Sequence, residues 1–246
     1  MGRIRFLFEP LIRAYFQKLM IVYPDDVYIV SYPRSGNRWM RLLLTSMLYP
    51  EDDGILNDLS TVFPDQYDRK RHLLLWRYQR PRIIKSHEPF TPRYPAVIYL
   101  YRDGRDVCFS YWDWYRRFEG RTFDFQEFFD MFMKGRVSYG TWSDHVESWL
   151  FRSHAIPFLP IKYEDVFANS AEQLRRVADF LKKDVSDDCI QKAVDRSVED
   201  RESKVGFYAG KAKGGSGKWK DVFTADNERV FWEHAGQTME KLGYKK

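Results

Sequence analysis

The chain has 246 residues, 44% of them apolar and 30% charged, which supplies a core and a wettable surface and excludes disorder as the main state. A domain of this size hides roughly 70 to 75% of the surface its unfolded chain exposes, so it needs no disulfide or structural metal for stability. The net charge of +5 admits nucleic acid, an anionic membrane or a small polyanion as partner, without choosing among them.

The stretch 6–22 starts apolar but carries Glu9, Arg13 and Lys18, and no eighteen uncharged apolar residues run together, so neither a signal peptide nor a membrane span is expected. Only Cys108 and Cys189 are present, far apart, which excludes a cysteine zinc site from one chain and points to a reducing, cytoplasmic setting. The first strand is predicted at 27–31 (VYIVS), then a turn over 32–37 and an apolar-periodic helix over 38–48. Strands at 82–85 and 96–101 follow, the latter leading into a helix opened by Asp103 and running to about 117. Helices near 124–134 and 138–153, a buried strand at 156–162, and helices at 170–182 and 187–196 complete the pattern. Strands separated by helices predict one α/β domain over 1–246, a parallel β-sheet with helices on both faces. Ligands of such sheets bind beyond the carboxyl ends of the strands, so the loops 32–37, 86–90 and 102–105 should converge.

Those loops hold the unusual chemistry. Tyr32-Pro33-Arg34-Ser35-Gly36-Asn37-Arg38-Trp39 lies between a buried strand and a helix start, where free backbone N–H groups and the positive end of the helix dipole favour an anion. Gly36 allows close approach and Arg34 adds full charge. The spacing GxxxxGK[ST] does not occur there, so an ATP-using P-loop kinase loses its best support. His87 follows a strand and precedes Glu88-Pro89, which turns the chain out of the sheet and lets the imidazole project into the crevice.

The string YPRSGNRW resembles the 5′-phosphosulfate loop of the cytosolic-type sulfotransferases, commonly YPKSGTTW. Further segments resemble that family in the same order. Ile84-Lys85-Ser86-His87 is similar to its KTH segment, and Tyr101 to Val107 with Ser110 is similar to RNPRDVxxS. Tyr139 to Val146 with Trp149 is similar to GSWxxHVxxW, and Tyr163-Glu164-Asp165 to YED. Lys213-Gly214 with Gly217-Lys218-Trp219-Lys220 and Phe223-Thr224 is similar to RKGxxGDWKxxFT. The resemblance covers residues 27 to about 241.

It implies a P-loop-like parallel β-sheet flanked by helices on both faces, and transfer of the sulfuryl group of 3′-phosphoadenosine-5′-phosphosulfate (PAPS) to a hydroxyl or amine of a small molecule, with 3′-phosphoadenosine-5′-phosphate (PAP) as product and no metal. His87 is then the general base, and Lys85 and Arg34 answer the charge developing in transfer. Arg34, Ser35, Gly36, Asn37 and Arg38 would hold the 5′ end of the donor, and Trp39 would lie towards its adenine and 3′-phosphate. Arg102 with Ser110, Tyr163, Lys213 and Gly214 would hold the 3′-phosphate and adenine side, Ser197 being a looser match. The chain departs from the family at Arg34, which cannot realistically donate a proton, at Asn37 and Arg38, where the family has threonines, and at Ala212, where it has arginine.

Glu88, Asp113 and Trp112 lie towards the expected acceptor side and suit a cationic acceptor, with pairing of Asp113 to Arg116 or Arg117 as the alternative. A degenerate member that binds nucleotide without turnover and a basic nucleic-acid-binding module are the rival functions; the second is disfavoured because the basic residues fall at strand ends and form no continuous stripe. The family's dimer motif KxxxTVxxxE is present only in part, from Lys220 to Ala225 with Glu228 one residue early, so the oligomeric state stays open.

Overall fold

The computed structural model of the chain describes residues 20–51, 58–66, 72–118, 124–202 and 215–246. Four strands, β1 (Val27–Ser31), β2 (Ile83–Ser86), β3 (Val97–Tyr101) and β4 (Phe158–Lys162), form a parallel sheet in the order β2-β1-β3-β4. Every residue of β1 is buried, as a parallel strand covered on both faces requires. Its side chains alternate: Ile29 joins Leu43, Ile98 and Leu174 on one face, whereas Tyr28 and Val30 join Ile84, Tyr99 and Trp149 on the other.

The helices are α1 (Asn37–Leu48), α2 (Gly104–Phe118), α3 (Phe125–Met133), α4 (Trp142–Leu150), α5 (Tyr163–Ala168), α6 (Ser170–Phe180), α7 (Asp187–Glu202) and α8 (Ala225–Lys241). The expected helix from 138 starts at Trp142 because Tyr139 and Gly140 both hold left-handed backbone, with φ of 74° and 77°, and Thr141 then caps the helix by accepting from Asp144 N–H at 3.1 Å. Two helices, α5 and α8, lie where the sequence reading placed none. The last opens on a capping box in which Thr224 and Asn227 bond reciprocally, and it buries Phe231, Ala235 and Met239 at intervals of four. Those residues enter an aromatic cluster with Tyr32, Tyr111, Phe128, Phe132 and Trp142, which closes over the start of α2. Among the described residues no helix is long and apolar enough to cross a membrane.

Strand order places the functional loops. From β1 the chain first adds β2 on one side and then β3 on the other, so the loops leaving β1 and β3 diverge and open a crevice between them. The sequence reading expects its ligand there.

Candidate active site

The loop after β1 is built around Gly36. Its φ of +98° suits glycine, and a Cβ at this position would stand 2.5 Å from Cδ2 of Tyr163. The first bond of α1 runs from Met40 N–H to Gly36 O, so the N–H groups of residues 37 to 39 come before the helical ladder. Ser35 is buried and its Oγ has no partner, an orphaned hydroxyl in a positively polarised turn that fits a phosphate or sulfate oxygen. Asn37 faces the other way: its Nδ2 donates to Ile29 O at 3.1 Å and to Ser31 Oγ at 3.3 Å. The side chain that stands in a threonine position therefore ties the helix to β1, and its backbone N–H is what it offers an anion. Trp39 is also packed inward, its indole N–H donating to Ser197 Oγ at 2.8 Å and its ring set edge-on to Tyr163, so Trp39 and Ser197 join α1 to α7.

A second cationic cluster meets the first. Arg34 holds positive φ and its Nε donates to Ser110 Oγ at 3.2 Å, while Arg102 donates to Arg34 O at 3.3 Å and to Gly215 O at 2.8 Å. Arg34 is thus a member of both: its backbone belongs to the first loop and its guanidinium to the Arg102 and Ser110 side. The Arg102 guanidinium lies over the Tyr163 ring at 4.3 Å. Lys218 joins from the late loop, and burial followed by repulsion from Arg102 holds its ammonium below the ordinary lysine range. The loop itself is fastened by Asp106, a fully buried carboxylate that accepts from Gly217 N–H at 2.7 Å, Ser216 Oγ at 3.3 Å and Trp219 N–H at 3.3 Å. Sequence reasoning quoted Asp106 and Lys218 within motifs and gave them no role; the structure supplies one. Lys213 and Gly214 lie outside the described residues.

His87 leaves the end of β2 with Nδ1 2.7 Å from Ser31 O. A carbonyl only accepts, so Nδ1 carries the proton and Nε2 is left as the basic atom. Loss of hydration on burial, and then the neighbouring Lys85 ammonium, push the imidazole down to about 3, so it is neutral at physiological pH. The backbone around it is held from behind. His145 Nε2 donates to His87 O at 3.0 Å while its Nδ1 meets Tyr99 OH at 2.9 Å, and Trp149 donates to Glu88 O at 3.0 Å. His145 thus braces the backbone behind His87. Lys85 Nζ sits 2.5 Å from the carboxylate of Asp65, a residue that no sequence motif pointed to.

Towards the expected acceptor side, Glu88 is buried beneath the turn. Asp113 accepts from Arg117 at 2.8 Å and Arg116 at 3.3 Å, and Arg116 also lies 4.9 Å over the Trp112 ring. Its charge and the adjacent ring face are both answered within α2. Among the described residues no group of three or more His, Cys, Asp or Glu side chains could hold a metal ion.

Known proteins share this fold. The mouse sulfotransferase SULT7A1 complexed with PAP superposes with a TM-score of 0.72 over 96% of this chain and 93% of its own, at 24% identity. Retinol dehydratase in complex with androsterone and PAP gives 0.70 over 89% and 82%, at 22% identity, and both show a common fold. Sulfotransferase 1B1 of Canis lupus familiaris is 29% identical over 242 residues, covering 84% of this chain and 81% of the relative, and human sulfotransferase 1E1 is 27% identical over 250, covering 89% and 85%. The family model described as the sulfotransferase domain matches residues 24–243, and the chain belongs to that sulfotransferase family.

Proposed function

We propose that this sulfotransferase takes PAPS as donor and passes its sulfuryl group to a hydroxyl or amine of a small molecule, with residues 1–246 acting as one domain. The observation that carries the reading is His87: a neutral imidazole, its tautomer fixed by Ser31 at the root of the anion loop, one residue beyond the strand that bears Lys85. Nε2 takes the proton of the acceptor O–H, the acceptor oxygen forms its bond to sulfur, and the bond from sulfur to the 5′-phosphate oxygen breaks with its electron pair. A sulfate ester, PAP and a protonated His87 result. Lys85 and the N–H groups of the first loop answer the charge on the transferred group and the departing oxygen. Arg34 takes part at that oxygen by exchanging Ser110 for the donor.

Arg102, Ser110, Lys218, Lys213 and Gly214 receive the 3′-phosphate. What supports the pairing of donor and protein is that the donor is anionic at both ends of an adenosine and the crevice offers a polarised anion loop and a cationic cluster joined through Arg34 and Arg102. A cationic acceptor would rest on Glu88, since Arg116 and Arg117 engage Asp113. Two free cysteines, one buried in the core, accord with a reducing intracellular setting.

A screen of hydroxyl and amine acceptors with labelled sulfate donor, read by mass gain, tests the activity. His87→Ala should slow turnover on the best acceptor roughly 10²- to 10⁴-fold and leave PAP binding by calorimetry unchanged. Retained turnover at saturation removes His87 from the mechanism, and PAP binding without turnover on any acceptor leaves a nucleotide-binding protein.

A further inference from the structure

The sheet continues past β2. Residues 64–66 run beside it, Lys85 N–H donating to Pro64 O at 2.8 Å and Gln66 N–H to Lys85 O at 3.3 Å, with Asp65 opposite Lys85 in a parallel bridge. Tyr94 OH fastens this edge by donating to Gln66 Oε1 at 2.7 Å, and it lies 2.9 Å from Ser86 Oγ. On that frame the carboxylate of Asp65 meets Lys85 Nζ, the two side chains 28% and 19% exposed. A pair on long mobile side chains contributes little, but here ladder bonds fix both backbones and most of the surface of both groups is already covered.

We propose that Asp65 is a positioning residue for sulfuryl transfer, holding the Lys85 ammonium beside His87 so that its other N–H groups face the transferred group. The inference rests on the roles given above to Lys85 and His87. A lysine ammonium is a compact charge with three donors on a flexible stem. One donor directed at Asp65 selects its position and two remain, so no search among rotamers is needed when charge develops. Lys85 lies one residue before the end of β2 and His87 one residue beyond it, and the Lys85 ammonium acts on the imidazole. An uncompensated ammonium there opposes proton uptake by the base. Lys85 from β2, Asp65 from the edge segment and His145 from α4 act on the charge of His87, and the Tyr139 ring lies edge-on to it at 5.6 Å; of the three charged or ionisable groups, Asp65 favours the imidazolium and Lys85 and His145 oppose it.

The test measures kcat, donor and acceptor KM, and PAP affinity for Asp65→Asn, Asp65→Glu, Lys85→Ala, His87→Ala and the double variant Asp65→Asn with Lys85→Ala, each first checked for an unchanged Tm. Asp65→Asn should lower kcat about tenfold, the loss of one charge-assisted hydrogen bond, with PAP affinity within about twofold of the parent. Asp65→Glu should recover part of the loss, and Asp65→Asn should add nothing once Lys85 is alanine. If Lys85→Ala and His87→Ala keep the parent kcat, the chemistry assigned above fails and Asp65 has nothing to position. If both lose activity while Asp65→Asn keeps it, or if the Asp65 and Lys85 losses multiply, the inference alone is overturned. A fall in Tm for both Asp65 variants with no kcat change at saturation would make the pair structural and would likewise overturn it.

Discussion

Asp106 offers a sharp test of how the second cluster is built, because its hydrogen bonds hold the late loop at Ser216, Gly217 and Trp219. Asp106→Asn keeps the size of the side chain but leaves one oxygen to serve donors that now use two. Oδ2 accepts from Gly217 N–H and Ser216 Oγ, while Oδ1 accepts from Trp219 N–H. Whichever way the amide turns, its NH₂ faces a backbone N–H, so at least one bond to a charged acceptor is lost and one buried donor is orphaned. Each such bond is worth about 1.5 to 3 kcal/mol, and the loop should loosen by at least that much. The loop carries Gly215, whose carbonyl holds Arg102, together with Lys218. PAP affinity measured by calorimetry should therefore fall about 10- to 100-fold, with a much smaller change for AMP, which lacks the 3′-phosphate. Hydrogen exchange at residues 216 to 219 should quicken, and kcat at saturating donor should hold. Equal losses for PAP and AMP, or a PAP affinity within twofold of the parent, would refute the reasoning.

Two further outcomes follow from the site. Gly36→Ala places a Cβ against Tyr163 and imposes left-handed backbone on alanine, which should remove roughly 1 to 3 kcal/mol of stability in urea melts and weaken PAP; an unchanged Cm contradicts the geometry. His87 is held at about 3 while the unfolded chain takes up its proton near 6.5, so between those values the unfolded state binds more protons. Stability should then fall with acidification by up to about 1.4 kcal/mol per pH unit from this group and gain no slope from it above pH 7. Urea melts of the parent and His87→Gln at pH 7 and 5 measure the difference, and identical pH dependence rejects the neutral imidazole.

What the sequence made legible was what local chemistry decides. Four apolar residues from Val27 to Val30, followed by Ser31, announce a strand buried on both faces, and the Pro89 that follows His87 and Glu88 announces where the chain leaves the sheet. The start of α4 was misplaced because Tyr139 takes a left-handed conformation that a non-glycine residue rarely signals. The last helix was passed over although its four-residue spacing is present, since its cap pairs Thr224 with Asn227 where glutamate or glutamine is the usual mark. In the site, Arg102 and Ser110 carried a motif and do meet around Arg34. Asn37 carried one too, but its direction depends on the carbonyl of Ile29 beneath it, and Asp65 finds Lys85 across twenty residues by sheet pairing, which no local pattern encodes.

Tyr163 sits between the two anion sites, Gly36 closed against one part of its ring and the Arg102 guanidinium resting over it. One rigid ring at the start of α5 thus acts as a caliper: it stands between the clusters, and a nucleotide bound there would be gauged by where its charges fall on either side of it. On the donor assignment proposed above, ATP would place all its phosphates at one jaw and leave the other unmet, whereas a nucleotide phosphorylated at both the 3′ and 5′ positions would close on both. Discrimination among adenosine anions would then come from spacing held by the fold, with the adenine itself common to all of them.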